Sequence, residues 1–215
     1  MIKQFVFNHF AENTYIVYDN TKQCVIIDAG CNEKEEKQEL YSYIDDNNLI
    51  VKKLLLTHPH IDHFCGMGEL SLRYNIPITL HKDGKKIFEI FTLQAQSMNF
   101  NPVDMTNVEI EYIDYGDKIV FGDNYVLETL NASGHCPGSI AYYSKQEESV
   151  FVGDAVFCQS IGRTDLFGGD LDELLHNINN NIMTLPLDTH ILCGHGSATD
   201  VDFEKSNNPY LNNYL

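Results

Sequence analysis

Leu54-Leu55-Leu56-Thr57-His58-Pro59-His60-Ile61-Asp62-His63 is the stretch on which the reading of this chain turns. An apolar run of strand character ends in H-x-H-x-D-H, which puts three imidazoles and a carboxylate into six residues. Imidazole and carboxylate ligands suit zinc or iron, and a strand feeding a tight turn can aim several side chains at one point. A surface loop that is merely rich in histidine is the competing reading. The remainder of the chain argues against it by supplying further ligands at plausible places.

Three more residues stand at the ends of expected strands, flanked by glycine or small residues. They are His135 in Ala132-Ser133-Gly134-His135-Cys136-Pro137-Gly138, Asp154 after Val150-Phe151-Val152-Gly153, and His195 in Leu192-Cys193-Gly194-His195-Gly196. Their wide separation along the chain means that any site they form is assembled by the whole fold.

The chain has 215 residues, enough for one substantial core and short for two, so a single domain over 1–215 is expected. No segment approaches the length of a membrane span. Met1-Ile2-Lys3-Gln4-Phe5-Val6 alternates like a strand rather than a signal peptide, which predicts a cytoplasmic protein without a membrane partner. The formal charge is −17, from 31 acidic against 14 basic residues. No basic cluster exceeds a pair such as Lys52-Lys53 or Lys85-Lys86. A nucleic-acid partner, which needs a basic groove, is therefore not expected. Six cysteines without a C-x-x-C pair read as free thiols. Cys65, Cys136 and Cys193 sit within two residues of a candidate ligand, either as oxidation-sensitive supports or as small buried hydrophobes.

The patterning predicts strands at 2–7, 13–19, 23–28, 51–57, 77–81, 139–144, 148–153 and 188–193, with a β-hairpin signature in 109–130. Asn32 with Glu35, and Asp170 with Glu173, resemble capping boxes that open helices. Further helices are expected from about Cys65 to Tyr74 and over 84–98, and Pro186 ends the helix begun at Asp170. Strands with polar groups at their ends, and helices closing each half, fit two sheets faced by helices better than one doubly wound sheet.

Thr57-His58-Pro59-His60-Ile61-Asp62-His63, then His135, Asp154 and His195, resembles the metallo-β-lactamase superfamily. Gly162-Arg163-Thr164-Asp165, Gly168-Gly169-Asp170, Gly194-His195-Gly196, Glu204-Lys205 and Asn208-Pro209 narrow the resemblance to the short glyoxalase II-like hydrolases. The resemblance implies an α/β fold, a four-layer αββα sandwich with the site at one edge. It implies two divalent metal ions, zinc foremost, with iron or manganese also accepted by such side chains. His58, His60 and His135 would hold the first ion, Asp62, His63 and His195 the second, and Asp154 would bridge them. The implied reaction is hydrolysis of an anionic thioester, S-lactoylglutathione or a related acyl thioester, by a metal-activated hydroxide that Asp62 orients as the catalytic carboxylate. Two dications against these carboxylates leave a local positive charge that draws in an anion. The C-terminal helical domain that binds glutathione in full-length glyoxalase II is not expected here.

Two rivals come with the resemblance: a persulfide dioxygenase using one iron on His58, His135 and Asp154, and a lactonase. A scaffold built on an inherited site is a third, weakened by the intact ligand set. Arg163 either contacts the anionic substrate or pairs with Asp165 to brace the site. Asp28 either supports a ligand histidine from behind or caps a turn. His9, His81, His176 and His190 are not expected to be ligands. Tyr142, Tyr143, Phe157 and Phe167 could line a cleft or belong to the core. The sequence is silent on the oligomeric state.

Overall fold

Each central strand sends alternate side chains into two different cores, and that alternation builds the layers. The computed structural model describes residues 1–211. The first part of the chain forms β1 (Ile2–Phe7), β2 (Glu12–Tyr18), β3 (Gln23–Ile27), α1 (Lys34–Asp46), β4 (Ile50–Leu55), α2 (Ile61–Phe64), α3 (Met67–Tyr74) and β5 (Ile78–His81). There follow α4 (Lys85–Glu89), α5 (Phe91–Ser97), β6 (Ile110–Ile113), β7 (Lys118–Phe121), β8 (Tyr125–Asn131), β9 (Ile140–Ser144) and β10 (Ser149–Gly153). The chain continues through β11 (Val156–Phe157), β12 (Ser160–Ile161), α6 (Leu171–Asn177), β13 (His190–Cys193), β14 (Thr199–Asp200) and α7 (Val201–Asn207).

One six-stranded sheet has the order β1-β2-β3-β4-β5-β6 and the other β14-β13-β10-β9-β8-β7. Val17, Val25, Ile27 and Leu55 of the first meet Leu127, Ile140, Tyr142 and Phe151 of the second in a shared core. Their strand neighbours Ile16, Cys24, Ile26 and Leu54 pack instead with Leu40 and Ile44 of α1 and Leu70 of α3. On the far side Ala141, Val150, Val152 and Ile191 pack with Leu174 and Leu175 of α6 and with Ile178 and Ile182 beyond it. The result is the expected αββα sandwich. Both faces of these strands are covered, which is why 24–27 and 150–152 read as unbroken apolar runs.

The parallel pairs decide where chemistry can sit. β3, β4 and β5 run parallel in the first sheet, and β10 and β13 in the second. Their C-terminal ends reach one edge and carry Asp28, the turn from Thr57 to His63, Asp154 and His195 to it.

Several local expectations shift. The capping pair of α1 is Glu33 with Glu36, one residue later than Asn32 with Glu35. Tertiary contacts select that register: Glu36 also accepts from the backbone N–H of Asn8, and the Asn32 side chain serves Asn101. The expected helix over 84–98 breaks at Ile90 into α4 and α5. The 109–130 region is split: β6 joins β5 in parallel, and only β7 and β8 form a hairpin. Strand β4 stops at Leu55 and β13 starts at His190. The short β11–β12 hairpin, β14 and α7 were not anticipated. Of the Asn-rich segment from Asn207 to Tyr214, Asn208 is buried and 212–214 lie outside the described residues. Among the described residues no helix is long and apolar enough to cross a membrane.

Candidate metal centre

The seven candidate ligands converge. His58, His60 and His135 bring donor atoms within 4.8 Å of one another, and so do Asp62, His63 and His195; Asp154 forms a like group with His58 and His63. His135 Nε2 lies 3.0 Å from His60 Nδ1, and His195 Nε2 lies 3.2 Å from His63 Nε2. Two nitrogens bound to one tetrahedral zinc at about 2.0–2.1 Å stand about 3.3 Å apart, so these separations suit a shared ion. Asp154 faces both halves, with Oδ1 3.4 Å from His63 and Oδ2 3.8 Å from His135. His58 Nε2 and Asp154 Oδ1 are buried and accept no hydrogen bond. Polar atoms in that state are costly, and a cation between them would satisfy both. The donor set fits divalent metal.

The ring nitrogens facing away from the centre are anchored. His63 Nδ1 donates to Asp28 Oδ2 at 2.9 Å, His135 Nδ1 to the Arg163 carbonyl at 2.7 Å, and His195 Nδ1 to the Phe10 carbonyl at 3.0 Å. His58 Nδ1 lies 3.1 Å from Thr57 Oγ1, whose hydroxyl donates to Asp28 Oδ2 at 2.7 Å. Asp28 thereby orients a ring in each half, which answers the open question about it: it stands behind the ligands. Its own φ is +50°, a strained value for a side chain other than glycine. Gly194 is dictated by close approach, because a Cβ there would lie 2.3 Å from Asp154 Oδ1 and 2.7 Å from His63 Cε1.

Electrostatically the halves differ. Burial and the neighbouring rings push His58 well below the usual imidazole range, and burial with His135 takes His60 down to about 4. These rings are neutral at ordinary pH. His63 behaves oppositely: burial disfavours its charge, but Asp154, Asp62 and Asp28 outweigh burial and raise it well above the usual range. His195 is likewise raised against burial by its hydrogen bond with Asp62 and by Asp154. Burial opposes ionised Asp62 and Asp154, yet His63 and the other rings hold both below the usual carboxylate range.

Sequence reasoning missed three supporting residues. Gln94 is buried and accepts from the Ile61 N–H while donating to the carbonyls of Pro59 and Ile87, so it pins the histidine turn. Glu12 is fully buried beside Asp28 and His63, accepts from the Thr14 hydroxyl, and burial raises its proton affinity well above the usual carboxylate range. Asn13 spans to the Gly194-His195-Gly196 turn. None sits in a ligand-like motif; the only signal was polarity at positions where strand and helix patterning expect apolar residues.

The Arg163 guanidinium pairs with both oxygens of Asp165 at 2.7 and 2.8 Å at the surface, and its carbonyl is what touches His135. Glu204 is buried, accepts from the Gln159 N–H and the Asn208 amide, and so ties α7 to the β11–β12 turn that precedes Gly162-Arg163. Cys65, Cys136 and Cys193 are buried free thiols, and burial pushes the latter two up to about 12. Tyr142 and Tyr143 belong to the cores; Phe157 lies 6.3 Å from the His195 ring, and Phe167 is 76% exposed. His81 is buried away from the cluster, stacked on Tyr115 at 4.1 Å.

Relatives share this arrangement of chain. The chain is 36% identical over 202 residues to "Probable metallo-hydrolase YqgX" of Bacillus subtilis, covering 94% of this chain and 93% of the relative. It is 34% identical over 205 residues to "Hydroxyacylglutathione hydrolase GloC" of Haemophilus influenzae, covering 94% of each. Among solved structures, the BLEG-1 B3 metallo-beta-lactamase matches with a TM-score of 0.87 at 30% identity, over 98% of this chain and 99% of that one. TTHA1623 in a di-iron-bound form matches with a TM-score of 0.85 at 29% identity, over 97% and 100%. The sequence pattern defining the metallo-beta-lactamase superfamily matches residues 8–195, and the chain belongs to that superfamily.

Proposed function

We propose that this protein is a dinuclear metallo-hydrolase of thioesters, similar in reaction to a hydroxyacylglutathione hydrolase. The observation that carries the reading is the pair of donor clusters joined through Asp154, with His58 Nε2 and Asp154 Oδ1 buried and without a hydrogen bond. The likeness to GloC over nearly the whole chain, and to a di-iron-bound structure, supports it. Bound at these residues, two divalent ions would ionise a water near neutral pH and polarise the acyl carbonyl. In this reading His58, His60 and His135 would hold one ion and Asp62, His63 and His195 the other, with Asp154 facing both. The metal is zinc, iron or manganese.

The residues around the centre do the rest. Asp62 accepts a hydrogen bond from the attacking water and keeps it aimed at the carbonyl carbon. The thiolate leaves readily, being a weaker base than an amine, so no side chain need protonate it. An open groove that begins two residues along the chain from His135 is lined by Lys82, Asp83, Lys85, Lys86, Ile87, Pro137, Phe167 and Gly168. Lys82 pairs with Asp114 and Lys85 with Glu89, whereas Lys86 has no carboxylate partner among the described residues. We assign the anionic thiol half of the substrate to this groove, with Lys86 facing its charge and Phe167 covering it.

The test is hydrolysis of S-lactoylglutathione under anaerobic conditions by protein of measured metal content. Turnover with two equivalents of metal is expected. Oxygen uptake with a glutathione persulfide and no thioester cleavage would reassign the site to one-iron chemistry, and turnover confined to lactones or β-lactams would reassign the substrate.

A further inference from the structure

His195 is carried by the second sheet, yet the first sheet holds it in place. The Asn13 side chain, at the start of β2, donates one N–H to the Cys193 carbonyl and the other to the Gly196 carbonyl, both at 3.0 Å. These two carbonyls bracket the Gly194-His195-Gly196 segment. The Asn13 backbone N–H donates to the Gly194 carbonyl at 2.7 Å, and the Tyr15 hydroxyl donates to the Cys193 carbonyl at 2.7 Å. Glu12 bridges to His195 itself, and the ring of His195 donates to the carbonyl of Phe10. Gln4 on β1 donates to Asn13 Oδ1 at 2.7 Å, which fixes the amide so that its NH2 faces the turn. The His195 side chain is 23% exposed, so packing alone does not fix it, whereas the His63 side chain is 0% exposed.

We propose that Asn13 is a positioning residue for the second metal ion: by bracketing the His195 turn from the opposite sheet, it determines whether the chain holds one ion or two. The inference rests on the dinuclear reading above. An amide NH2 has two N–H groups, and both are consumed by the two carbonyls that flank the ligand; its oxygen is consumed by Gln4. Asparagine fits this place because it supplies both kinds of group in one plane. Aspartate has the same size but would aim a charged oxygen at two carbonyl oxygens and push the turn away. The first half of the site is indifferent to this, since His58 and His60 follow β4 and His135 is anchored on Arg163.

The experiment compares the full chain with Asn13→Asp and Gln4→Ala. Zinc is titrated into each metal-free protein against a chromophoric chelator, which gives stepwise affinities, and elemental analysis gives the content as purified. Asn13→Asp is expected to weaken the second ion by about 10- to 100-fold, the usual effect of losing support behind a ligand, with the first ion unchanged. Gln4 is exposed on β1, so Gln4→Ala folds; it is expected to weaken the second ion in the same direction by a smaller factor. Equal affinities for both ions in Asn13→Asp and wild type would overturn the proposal, and so would a parallel loss of both ions. Should Asn13→Asp not fold, an unchanged second affinity in Gln4→Ala overturns it. A wild-type chain that takes up only one ion removes the dinuclear reading itself, and that outcome is read from the wild-type titration alone.

Discussion

The two halves of the metal centre are built on opposite electrostatic plans. His58, His60 and His135 form a pocket of nitrogen donors, two of which burial and mutual proximity keep neutral well into acid. Asp62, His63 and His195 mix imidazoles with carboxylates, and in the absence of metal Asp154, Asp62 and Asp28 raise the proton affinity of His63, and Asp62 and Asp154 that of His195. The two buried rings, His58 and His60, can accept a cation without releasing a proton. The mixed half must first give up protons. Filling the two positions should therefore be sequential, with the first half the tighter at low pH, and Asp154 the group that makes one unit of both.

The largest effect is expected from cutting that link. Asp154→Ala, or His58→Ala, should lower kcat/KM for the thioester by at least about a thousandfold, since ionisation of the water at neutral pH goes with the ions. Full activity in either variant, measured on metal-loaded protein, would break the account of both halves together. Next, Gly194→Ala should damage the mixed half selectively, because the new Cβ collides with Asp154 Oδ1 and His63. Metal analysis should find one ion retained and about one lost, with hydrolysis down by roughly a hundredfold, scaled to lost support behind a ligand. Two ions in that variant would show that the halves tolerate far looser packing than their distances suggest.

The pH dependence sharpens the contrast. His63 and His195 have raised proton affinity in the metal-free protein, so protons compete with the second ion as pH falls. Each displaced proton should cost about tenfold in apparent affinity per pH unit. The first ion should lose affinity less steeply, because burial lowers the proton affinity of His58 and His60. Zinc titrations between neutral and mildly acidic pH check this, and parallel slopes for both ions would erase the distinction. The smallest effect lies outside the halves. Lys86→Glu should raise KM for an anionic thioester by about 3- to 10-fold with kcat little changed, as expected for a charge at the rim. An equal rise for an uncharged thioester would remove Lys86 from recognition.

How far these features could be read from the sequence follows from how local their causes are. The αββα layering was legible because Val25 and Ile27 face one core while Cys24 and Ile26 face another, which leaves an apolar run. The candidate ligands were legible because H-x-H-x-D-H concentrates donors in one turn and because His135, Asp154 and His195 end their strands beside glycine. The supporting residues were not. Gln94 sits in a short broken helix, and only the fold reveals that its amide pins Ile61 and Pro59. Glu12 and Asn13 lie within a strand, far in sequence from the His195 turn they face. Capping registers failed for a like reason at α1, where Glu36 was claimed by Asn8 from across the molecule. Arg163 shows the limit most clearly: its side chain drew attention in the sequence, and its carbonyl is what orients His135.

The most direct test of the whole account is an anomalous diffraction map from crystals of the protein purified without added metal. Two peaks about 3.5–4 Å apart are expected, one among His58, His60 and His135, the other among Asp62, His63 and His195, with Asp154 between them. A map with no peak at these side chains, or with one peak only, would contradict it.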